Sequence, residues 1–304
     1  MQFLKRFMLF FAVNIVIVIT ISIILHLLGV GSYITAYGIN YQSLAIFCLV
    51  WGMGGSFISL LLSKFLAKWM MGVKIVEQNG PYSWLVQTVY GYARRAGLEK
   101  MPEVGVYESP ELNAFATGAT KSSALVAVST GLLDGMNRDE LEGVIAHEVA
   151  HIANGDMVTM TIIQGIINAF VMFFARIAAY AVEQALRKDD DEDERGGLSS
   201  LLHMFLVMIF EMVFGIVGML IVAYFSRQRE FKADADSARM GGREKMIAAL
   251  SALQRNYEMM TADHGGMSTM KISNKGSWIA FFSTHPPLEE RIEALKRGYH
   301  NTYR

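Results

Sequence analysis

Two histidines and a glutamate lie close together near the middle of the chain, in His147-Glu148-Val149-Ala150-His151. Residues four apart on a helix project from one face, so both imidazoles can bind a single Zn²⁺ ion. Glu148 is rotated from His147 by about 100°, which directs its carboxylate toward a metal-bound water rather than the metal. The pattern predicts a hydrolytic site with Glu148 as the general base.

The same pattern also occurs by chance on helices that bind no metal. With seven histidines in the chain, we expect it in roughly one unrelated sequence in a hundred at average glutamate usage. A catalytic zinc site needs a third protein ligand and an open coordination position. The one cysteine, Cys48, has no intrachain partner, so the third ligand has to be a histidine or a carboxylate.

Two carboxylates further along the chain meet this requirement. Glu230 and Asp234 lie four residues apart and share one face of a predicted helix at 229–239. Glu230 fits the third-ligand role, and Asp234 could orient a ligand imidazole by accepting its hydrogen bond. Ordinary pairing with Arg227, Arg229 or Lys232 is the structural alternative. The spacing alone supports both interpretations equally.

The helix that carries the two histidines has clear predicted ends. Asn137 and Glu140 form a capping box before a stretch with helical apolar periodicity, so we expect a helix from about 138 to 153. Asn154-Gly155 is a suitable stop, and Asp156 can cap the following helix.

Regular structure is also predicted before that helix. Alternating or β-branched residues at 103–107 and 124–129 predict strands of a small sheet. An amphipathic pattern at 81–95 predicts a helix whose apolar stripe faces the core. The polar part of the chain therefore mixes helices with a sheet.

The composition indicates an α-helical membrane protein. Of the 304 residues, 53% are hydrophobic and 18% are charged, whereas soluble domains average about 25% charged residues. The net charge of −1 gives no support for a nucleic-acid partner. A bilayer-spanning helix takes about 20 residues, and segments of this kind lie at 7–29, 42–63, 157–182 and 198–225. About four transmembrane helices are therefore expected, although a cleaved signal peptide is the alternative for the first.

These segments divide the chain into four predicted parts. Residues 1–64 form an N-terminal transmembrane hairpin, and 65–156 form the first part of a catalytic domain. A second hairpin, with an acidic linker at 187–195, occupies 157–226. Residues 227–304 complete the catalytic domain and carry Glu230.

Charges in the second hairpin predict an internal contact. Arg176 and Glu211 lie inside its apolar segments, where an unpaired charge is costly. In an antiparallel hairpin the two fall within about 7 Å in depth. We therefore expect them to form an ion pair.

Basic residues orient the first hairpin. They flank both of its ends and are missing from its connecting loop, so both ends face the cytoplasm; they are Lys5, Arg6, Lys64, Lys68 and Lys74. One ion cannot bind ligands from opposite sides of a bilayer, so the second hairpin must leave and return to the same face. By helical rise the metal lies within roughly 10 Å of that face.

Several segments together resemble the HtpX family of membrane metalloproteases, which are relatives of the CAAX prenyl proteases. They are Asn113-Ala114-Phe115-Ala116-Thr117-Gly118, the stretch 147–156, the stretch 230–234, and Thr284-His285-Pro286-Pro287 followed by Arg291. The resemblance spans nearly the whole chain. It implies a mainly helical α+β, zincin-like (gluzincin) cytosolic domain with one catalytic Zn²⁺ ion.

The resemblance also implies roles for single residues. His147, His151 and Glu230 are the implied zinc ligands, Glu148 is the base, and Asp234 supports a ligand from outside the coordination shell. Residues Asn113, Ala114 and Phe115 are implied to line an edge strand that pairs with substrate backbone. His285 and Arg291 could stabilise the oxyanion or fix an active-site carboxylate. A structural salt bridge is an equal alternative for Arg291.

The function expected from these features is zinc-dependent cleavage of misfolded or damaged membrane proteins. The site would face the cytosol at the bacterial inner membrane, and the partners would be polypeptide substrates and the lipid bilayer. The sequence leaves the oligomeric state open. A zinc transporter or sensor using the same ligands is the alternative, although transport favours ionisable residues distributed through the spans.

Overall fold

The computed structural model describes residues 2–30, 32–35, 38–186, 196–263 and 285–298. The acidic linker at 187–195 and Thr284 lie outside these residues. The helices are α1 (Gln2–Leu27), α2 (Tyr41–Met71), α3 (Ser83–Arg95), α4 (Thr130–Gly135), α5 (Arg138–Asn154), α6 (Asp156–Leu186), α7 (Gly196–Gly241), α8 (Arg243–Asp263) and α9 (Leu288–Lys296). The strands are β1 (Ile34–Thr35), β2 (Gly38–Ile39), β3 (Lys74–Ile75), β4 (Glu103–Tyr107), β5 (Ala114–Thr117) and β6 (Leu125–Ser129).

The chain forms two compact units, each built from two chain segments. The first unit comprises Met1–Ser59 and Thr161–Val222, and the second comprises Leu60–Met160 and Ala223–Arg304.

Three of the described helices are long and apolar enough to cross a membrane, namely Tyr41–Met71, Asp156–Leu186 and Leu201–Gly241. The part of α1 whose side chains are described contains a shorter apolar stretch, Ile15–Leu27.

In the first unit, α2 and α6 approach closely because glycine lies at their crossing. A Cβ atom added to Gly52 would lie 2.6 Å from the Ala169 nitrogen and 2.7 Å from the Gly165 oxygen. Contacts this short exclude any larger side chain unless the helices separate. Small residues at a crossing allow the backbone approach on which helix association in a bilayer depends.

Charged groups join α6 to α7 in the same unit. Nη1 of Arg176 donates to Oε1 of Glu211 at 2.8 Å and to the Met172 oxygen at 3.0 Å, so the predicted ion pair is confirmed. A second contact, between His203 Nδ1 and Glu183 Oε2 at 3.1 Å, lies about two helical turns along each helix.

The second unit contains a sheet with strand order β3-β4-β6-β5. Strands β4 and β6 are parallel, and β3 and β5 are antiparallel to their neighbours. The strands predicted at 103–107 and 124–129 are therefore confirmed, and β5 lies at an edge of the sheet. The apolar side chains of β4 and β6 pack with those of α3 and α5 in one core, which includes Leu85, Val89, Val104, Val126, Ile145 and Val149.

Helix α5 begins and ends as its sequence predicts. Oδ1 of Asn137 accepts from the backbone nitrogens of Asp139 and Glu140 at 3.0 Å, and Oε2 of Glu140 accepts from the Asn137 nitrogen at 3.0 Å. This is the capping box expected from the sequence. Gly155 ends the helix in the left-handed region with φ 71°, which glycine adopts without strain.

Helix α7 differs from the expectation of a span followed by a separate helix at 229–239. It is one uninterrupted helix of 46 residues. No proline or glycine lies between 219 and 240, so nothing stops the helix where the apolar residues give way to charged ones.

The ion pair in the first unit gives a stability prediction. Arg176→Ala or Glu211→Ala alone leaves one charge unpaired in an apolar setting, at a cost on the order of 1–3 kcal/mol in unfolding free energy. The double alanine variant should cost less than the sum of the two. The exchange Arg176→Glu with Glu211→Arg should recover most of the loss, as measured by unfolding in mixed micelles. Additive single effects would contradict an energetic coupling between the two charges.

Candidate metal centre

Three buried side chains from α5 and α7 meet in the second unit. Nε2 of His147 and Nε2 of His151 are 3.0 Å apart. The Glu230 carboxylate faces both rings, with Oε2 3.5 Å from His147 Nε2 and Oε1 3.4 Å from His151 Nε2. The side chain of Glu230 is only 1% exposed. This group could hold a metal ion.

The spacing of these atoms fits a tetrahedral metal site. Ligand atoms about 2.0–2.1 Å from a tetrahedral zinc lie roughly 3.3–3.4 Å from one another. The distances of 3.0, 3.4 and 3.5 Å bracket this range. Two imidazole nitrogens and one carboxylate oxygen are also a donor set that zinc accepts, with one position left open.

Carboxylates behind the two histidines determine which ring nitrogens face the centre. Nδ1 of His151 lies 2.6 Å from Oδ2 of Asp156. Nδ1 of His147 lies 2.9 Å from Oδ1 of Asp234, although the two are not aligned as an ideal hydrogen bond. A carboxylate beside Nδ1 keeps the proton on that nitrogen and leaves the Nε2 lone pair free for a metal.

Asp156 makes a contact that its position in the sequence does not predict. It was expected to cap the next helix, and it is indeed the first residue of α6. Its carboxylate is directed at His151, five positions back, across the turn made by Gly155. An acidic residue just after a glycine stop is the only sequence signal for this contact.

Arg291 fixes the second of these carboxylates. Its Nε and Nη2 atoms donate to the two Asp234 oxygens at 2.7 and 2.6 Å. Such a bidentate contact holds both partners in a defined orientation. The guanidinium is 7% exposed, so Arg291 lies buried against the Asp234 carboxylate, behind the three convergent side chains.

Glu230 itself is held by two guanidinium groups and a further imidazole. Nη1 of Arg291 lies 3.4 Å from Oε2, and Nη2 of Arg229 lies 3.4 Å from Oε1. Nδ1 of His285 lies 3.1 Å from Oε2, while the His285 side chain is 65% exposed. Of the neighbours proposed as alternative partners, Arg229 does contact Glu230, but the same carboxylate also faces both imidazoles.

The charges at the centre favour a bound cation. Burial alone would lower the pKa of His151, but the hydrogen bond to Asp156 and the nearby Glu230 raise it to about 9. Burial alone would raise the pKa of Glu230, yet the histidines around it hold that pKa far below its usual range. Three carboxylates, of Glu230, Asp234 and Asp156, outnumber the two nearby guanidinium groups and stabilise positive charge between the imidazoles.

The remaining predicted residues lie on α5 and at the sheet edge. Glu148 is partly buried on α5, next to His147. Ala114 and Phe115 belong to β5, which packs against α5, and Asn113 directly precedes that strand. Burial raises the pKa of Tyr107, and the carboxylates of Glu111 and Glu148 add to the effect, so Tyr107 lies within electrostatic reach of Glu148.

Comparisons with known proteins identify the family of this chain. The model of Peptidase family M48 matches residues 81–298. Protease HtpX of Aeromonas hydrophila subsp. hydrophila is 49% identical over 300 residues, which cover 96% of this chain and 100% of that protein. A Protease HtpX homolog of Verminephrobacter eiseniae is 48% identical over 309 residues, covering 97% and 99% of the two chains.

A solved structure shares the fold at low sequence identity. The crystal structure of S. mikatae Ste24p matches with a TM-score of 0.66 and 18% identity over 96% of this chain. This chain spans 65% of the length of that protein, so the likeness concerns the fold alone. From the full-length matches at nearly half identity, the chain belongs to peptidase family M48, in its HtpX group, and is a multi-pass membrane metalloprotease.

Proposed function

We propose that this protein is a zinc-dependent endopeptidase that cleaves misfolded or damaged membrane proteins at the cytosolic surface of the bacterial inner membrane. The observation that carries the proposal is the buried convergence of His147, His151 and Glu230, with Glu148 beside the first of them on α5. Zinc held there would polarise the scissile carbonyl and make a water molecule acidic enough to react near neutral pH.

The proposed catalytic roles follow from position. His147, His151 and Glu230 hold the ion, and the carboxylates of Asp234 and Asp156 keep the two rings oriented. Glu148 points about 100° away from the ligand face, so its carboxylate is free to take a proton from water. The same carboxylate can then deliver that proton to the departing amine.

Arg291 and His285 take different roles in this proposal. Arg291 acts through Asp234, because its guanidinium is buried and both of its forked contacts go to that carboxylate. His285 is largely exposed and within 3.1 Å of Glu230. It is therefore the one of the two that can reach an oxyanion on a bound substrate.

The edge of the sheet provides the proposed substrate site. β5 pairs with β6 on one side, and no described strand covers its other side. An extended polypeptide can add to such an edge through backbone hydrogen bonds, which tolerate varied side chains. We assign this role to Asn113, Ala114 and Phe115. Such recognition suits a protease whose substrates share an unfolded state rather than a sequence.

The membrane topology that we propose has two helical hairpins. Helix α1 has 26 residues, enough to cross a bilayer, so we propose four spans in hairpins at 1–64 and 157–226. Catalytic segments at 65–156 and 227–304 complete the chain. Basic residues at both ends of the first hairpin favour the cytosol for those segments.

Chain connectivity supports a site close to the membrane surface. Only residues 152–155 separate His151 from α6, and Glu230 lies on α7 without a break after its apolar part. A site at this height favours polypeptide emerging from the bilayer over freely diffusing peptides.

The central test replaces Glu148. Glu148→Gln keeps the shape of the side chain but removes the base, so cleavage should fall by roughly two to four orders of magnitude. Zinc content, measured by mass spectrometry of the metal, should stay stoichiometric. Asp139→Asn on the same helix is the matched control and should keep both properties. Unchanged cleavage of an unfolded membrane substrate by Glu148→Gln would refute the assignment and leave a zinc sensor or transporter as the better account.

A second prediction concerns the carboxylate behind His151. Asp156→Ala should weaken zinc binding by about 10–100-fold, because the ring loses the partner that fixes its orientation and basicity. Asp156→Asn still accepts the hydrogen bond and should lose less. Competition with a metal chelator measures the affinity, and the exposed Asp134→Ala is the control. Equal zinc affinity in all four proteins would show that Asp156 serves only the start of α6.

A third prediction tests the height of the site. One cleavable segment, moved stepwise away from a transmembrane anchor by flexible linkers, should be cut more slowly as the linker grows. The reason is that the anchor then supplies a lower effective concentration at the site. Cleavage rates in proteoliposomes give the measurement, with the unanchored segment as the reference. Rates independent of linker length would rule out a site that acts close to the bilayer.

A further inference from the structure

Ser129 occupies a buried position at the end of β6, where its hydroxyl makes the most contacts that a serine hydroxyl can make. Oγ donates to the Glu111 oxygen at 2.6 Å and accepts from the Asn113 nitrogen at 3.1 Å. It also accepts from the Leu132 nitrogen at 3.0 Å. One donor and two acceptor positions are all that a hydroxyl offers, and Ser129 is 0% exposed. The Glu111 oxygen and the Asn113 and Leu132 nitrogens therefore all hydrogen-bond to this single oxygen atom.

Thr130 and Gly131, the next two residues, also hold this region. It is the loop 109–113, which contains Glu111 and Asn113 and leads into β5. Oγ1 of Thr130 donates to the Ser109 oxygen at 3.1 Å and accepts from the Ser109 nitrogen at 3.2 Å. The Gly131 nitrogen donates to the same oxygen at 2.8 Å. A Cβ atom on Gly131 would lie 2.8 Å from the Glu111 oxygen, so only glycine permits this approach.

These contacts fix the register at which β5 begins. The Ser129 nitrogen donates to the Asn113 oxygen at 2.9 Å, and Ser129 Oγ takes the return bond from Asn113 where a backbone oxygen would normally do so. In an antiparallel pair, hydrogen-bonded positions alternate along the strand. Given the pairing of Phe115 with Ala127, the backbone groups of Ala114 and Ala116 point to the open edge.

We infer that Ser129, supported by Thr130 and Gly131, is a positioning residue for substrate, which holds the 109–113 loop so that the open edge of β5 is presented to a bound polypeptide strand. The inference rests on the proposed function of β5 as the substrate-pairing strand. Ser129 touches no substrate atom in this account. It acts through the backbone of Asn113, and the bound chain pairs with the backbone groups of Ala114 and Ala116.

A purely local role for Ser129 is the alternative. Its contact with the Leu132 nitrogen is an N-cap of α4, and loss of a cap lowers stability without a direct effect on substrate affinity. The two roles are separable because only the positioning role makes the substrate's own backbone hydrogen bonds depend on Ser129.

The test uses the full-length, zinc-loaded protein in detergent and a fluorogenic peptide long enough to lie along β5. A second peptide carries an ester in place of one amide that faces β5, away from the scissile bond, and so lacks one backbone donor. Wild-type protein should cleave the ester analogue with a KM about five- to tenfold higher, the equivalent of roughly one hydrogen bond. The value of kcat should stay nearly the same.

Two variants then test the positioning role. Ser129→Ala should raise the KM of the amide peptide by about five- to tenfold, with kcat and zinc content nearly unchanged, and should largely abolish the preference for amide over ester. Thr130→Val keeps the shape of the side chain, removes only the two bonds to Ser109, and should show a smaller change of the same kind. It remains informative if Ser129→Ala folds poorly. Ser237→Ala is the matched control, a buried serine whose Oγ donates to the Gly143 oxygen and has no described hydrogen bond to the 109–113 loop, and it should leave both KM values as they are.

The possible results distinguish the positioning role of Ser129 from the proposed pairing of substrate with β5. If wild-type protein prefers the amide peptide and both variants keep that preference in full, the positioning role is wrong while strand addition stands. If wild-type protein cleaves amide and ester peptides equally well, pairing of substrate with β5 is wrong and the inference falls with it. A lost preference in Ser129→Ala with an intact preference in Ser237→Ala supports the inference.

Discussion

The buried carboxylate of Glu230 is the constraint on which the candidate site depends. A carboxylate that is 1% exposed has lost nearly all of its hydration, and it remains charged only if positive groups and hydrogen bonds replace the water. His147, His151, Arg291 and His285 provide that replacement at 3.1–3.5 Å. These residues come from α5, α9 and the segment just before α9. The stabilisation of the buried Glu230 carboxylate therefore requires distant segments of the second unit to meet at one point.

The same electrostatics explain why the centre suits a divalent cation. Asp156 and Asp234 take the Nδ1 sides of the two imidazoles, so both Nε2 lone pairs face each other and the Glu230 oxygens. Electron-rich atoms only 3.0–3.5 Å apart repel one another unless a proton or a metal lies between them. A zinc ion between them would bind the two Nε2 atoms and a Glu230 oxygen at once. A zinc site needs this convergence of ligand atoms and a hydrogen-bond partner behind each histidine.

Close backbone packing gives this electrostatic centre its geometry. Gly143 lets α5 approach α8, since a Cβ there would lie 2.8 Å from the Ala249 Cβ atom. The capping box and Gly155 fix where α5 begins and ends, which sets the direction in which its histidines project. At the sheet edge the hydroxyl of Ser129 fixes the register at which β5 begins. The candidate metal-binding side chains and the open edge of β5 are thus both held by local contacts that leave few alternative arrangements.

Local sequence patterns predict the helices, caps and strands that surround the candidate site. The spacing of His147 and His151 places both rings on one helical face, and the cap residues Asn137 and Gly155 define that helix. Strands β4 and β6 follow from alternating and β-branched residues. Local patterns suffice here because helix and strand geometry fixes the relation between residues a few positions apart. The pairing of Arg176 with Glu211 was also predictable, because an apolar setting leaves two lone opposite charges little alternative.

Contacts between residues far apart in the chain emerge only when the chain is folded. The spacing of Glu230 and Asp234 is equally compatible with ordinary ion pairs. No local pattern identifies Asp234 as the partner of Arg291. No local pattern identifies His151 as the partner of Asp156. The continuity of α7 was missed because a change from apolar to charged residues suggests a boundary that the backbone does not require. A side chain's type fixes what it can bind, whereas its partner depends on which groups the folded chain brings within about 3 Å, where hydrogen bonds and ion pairs form.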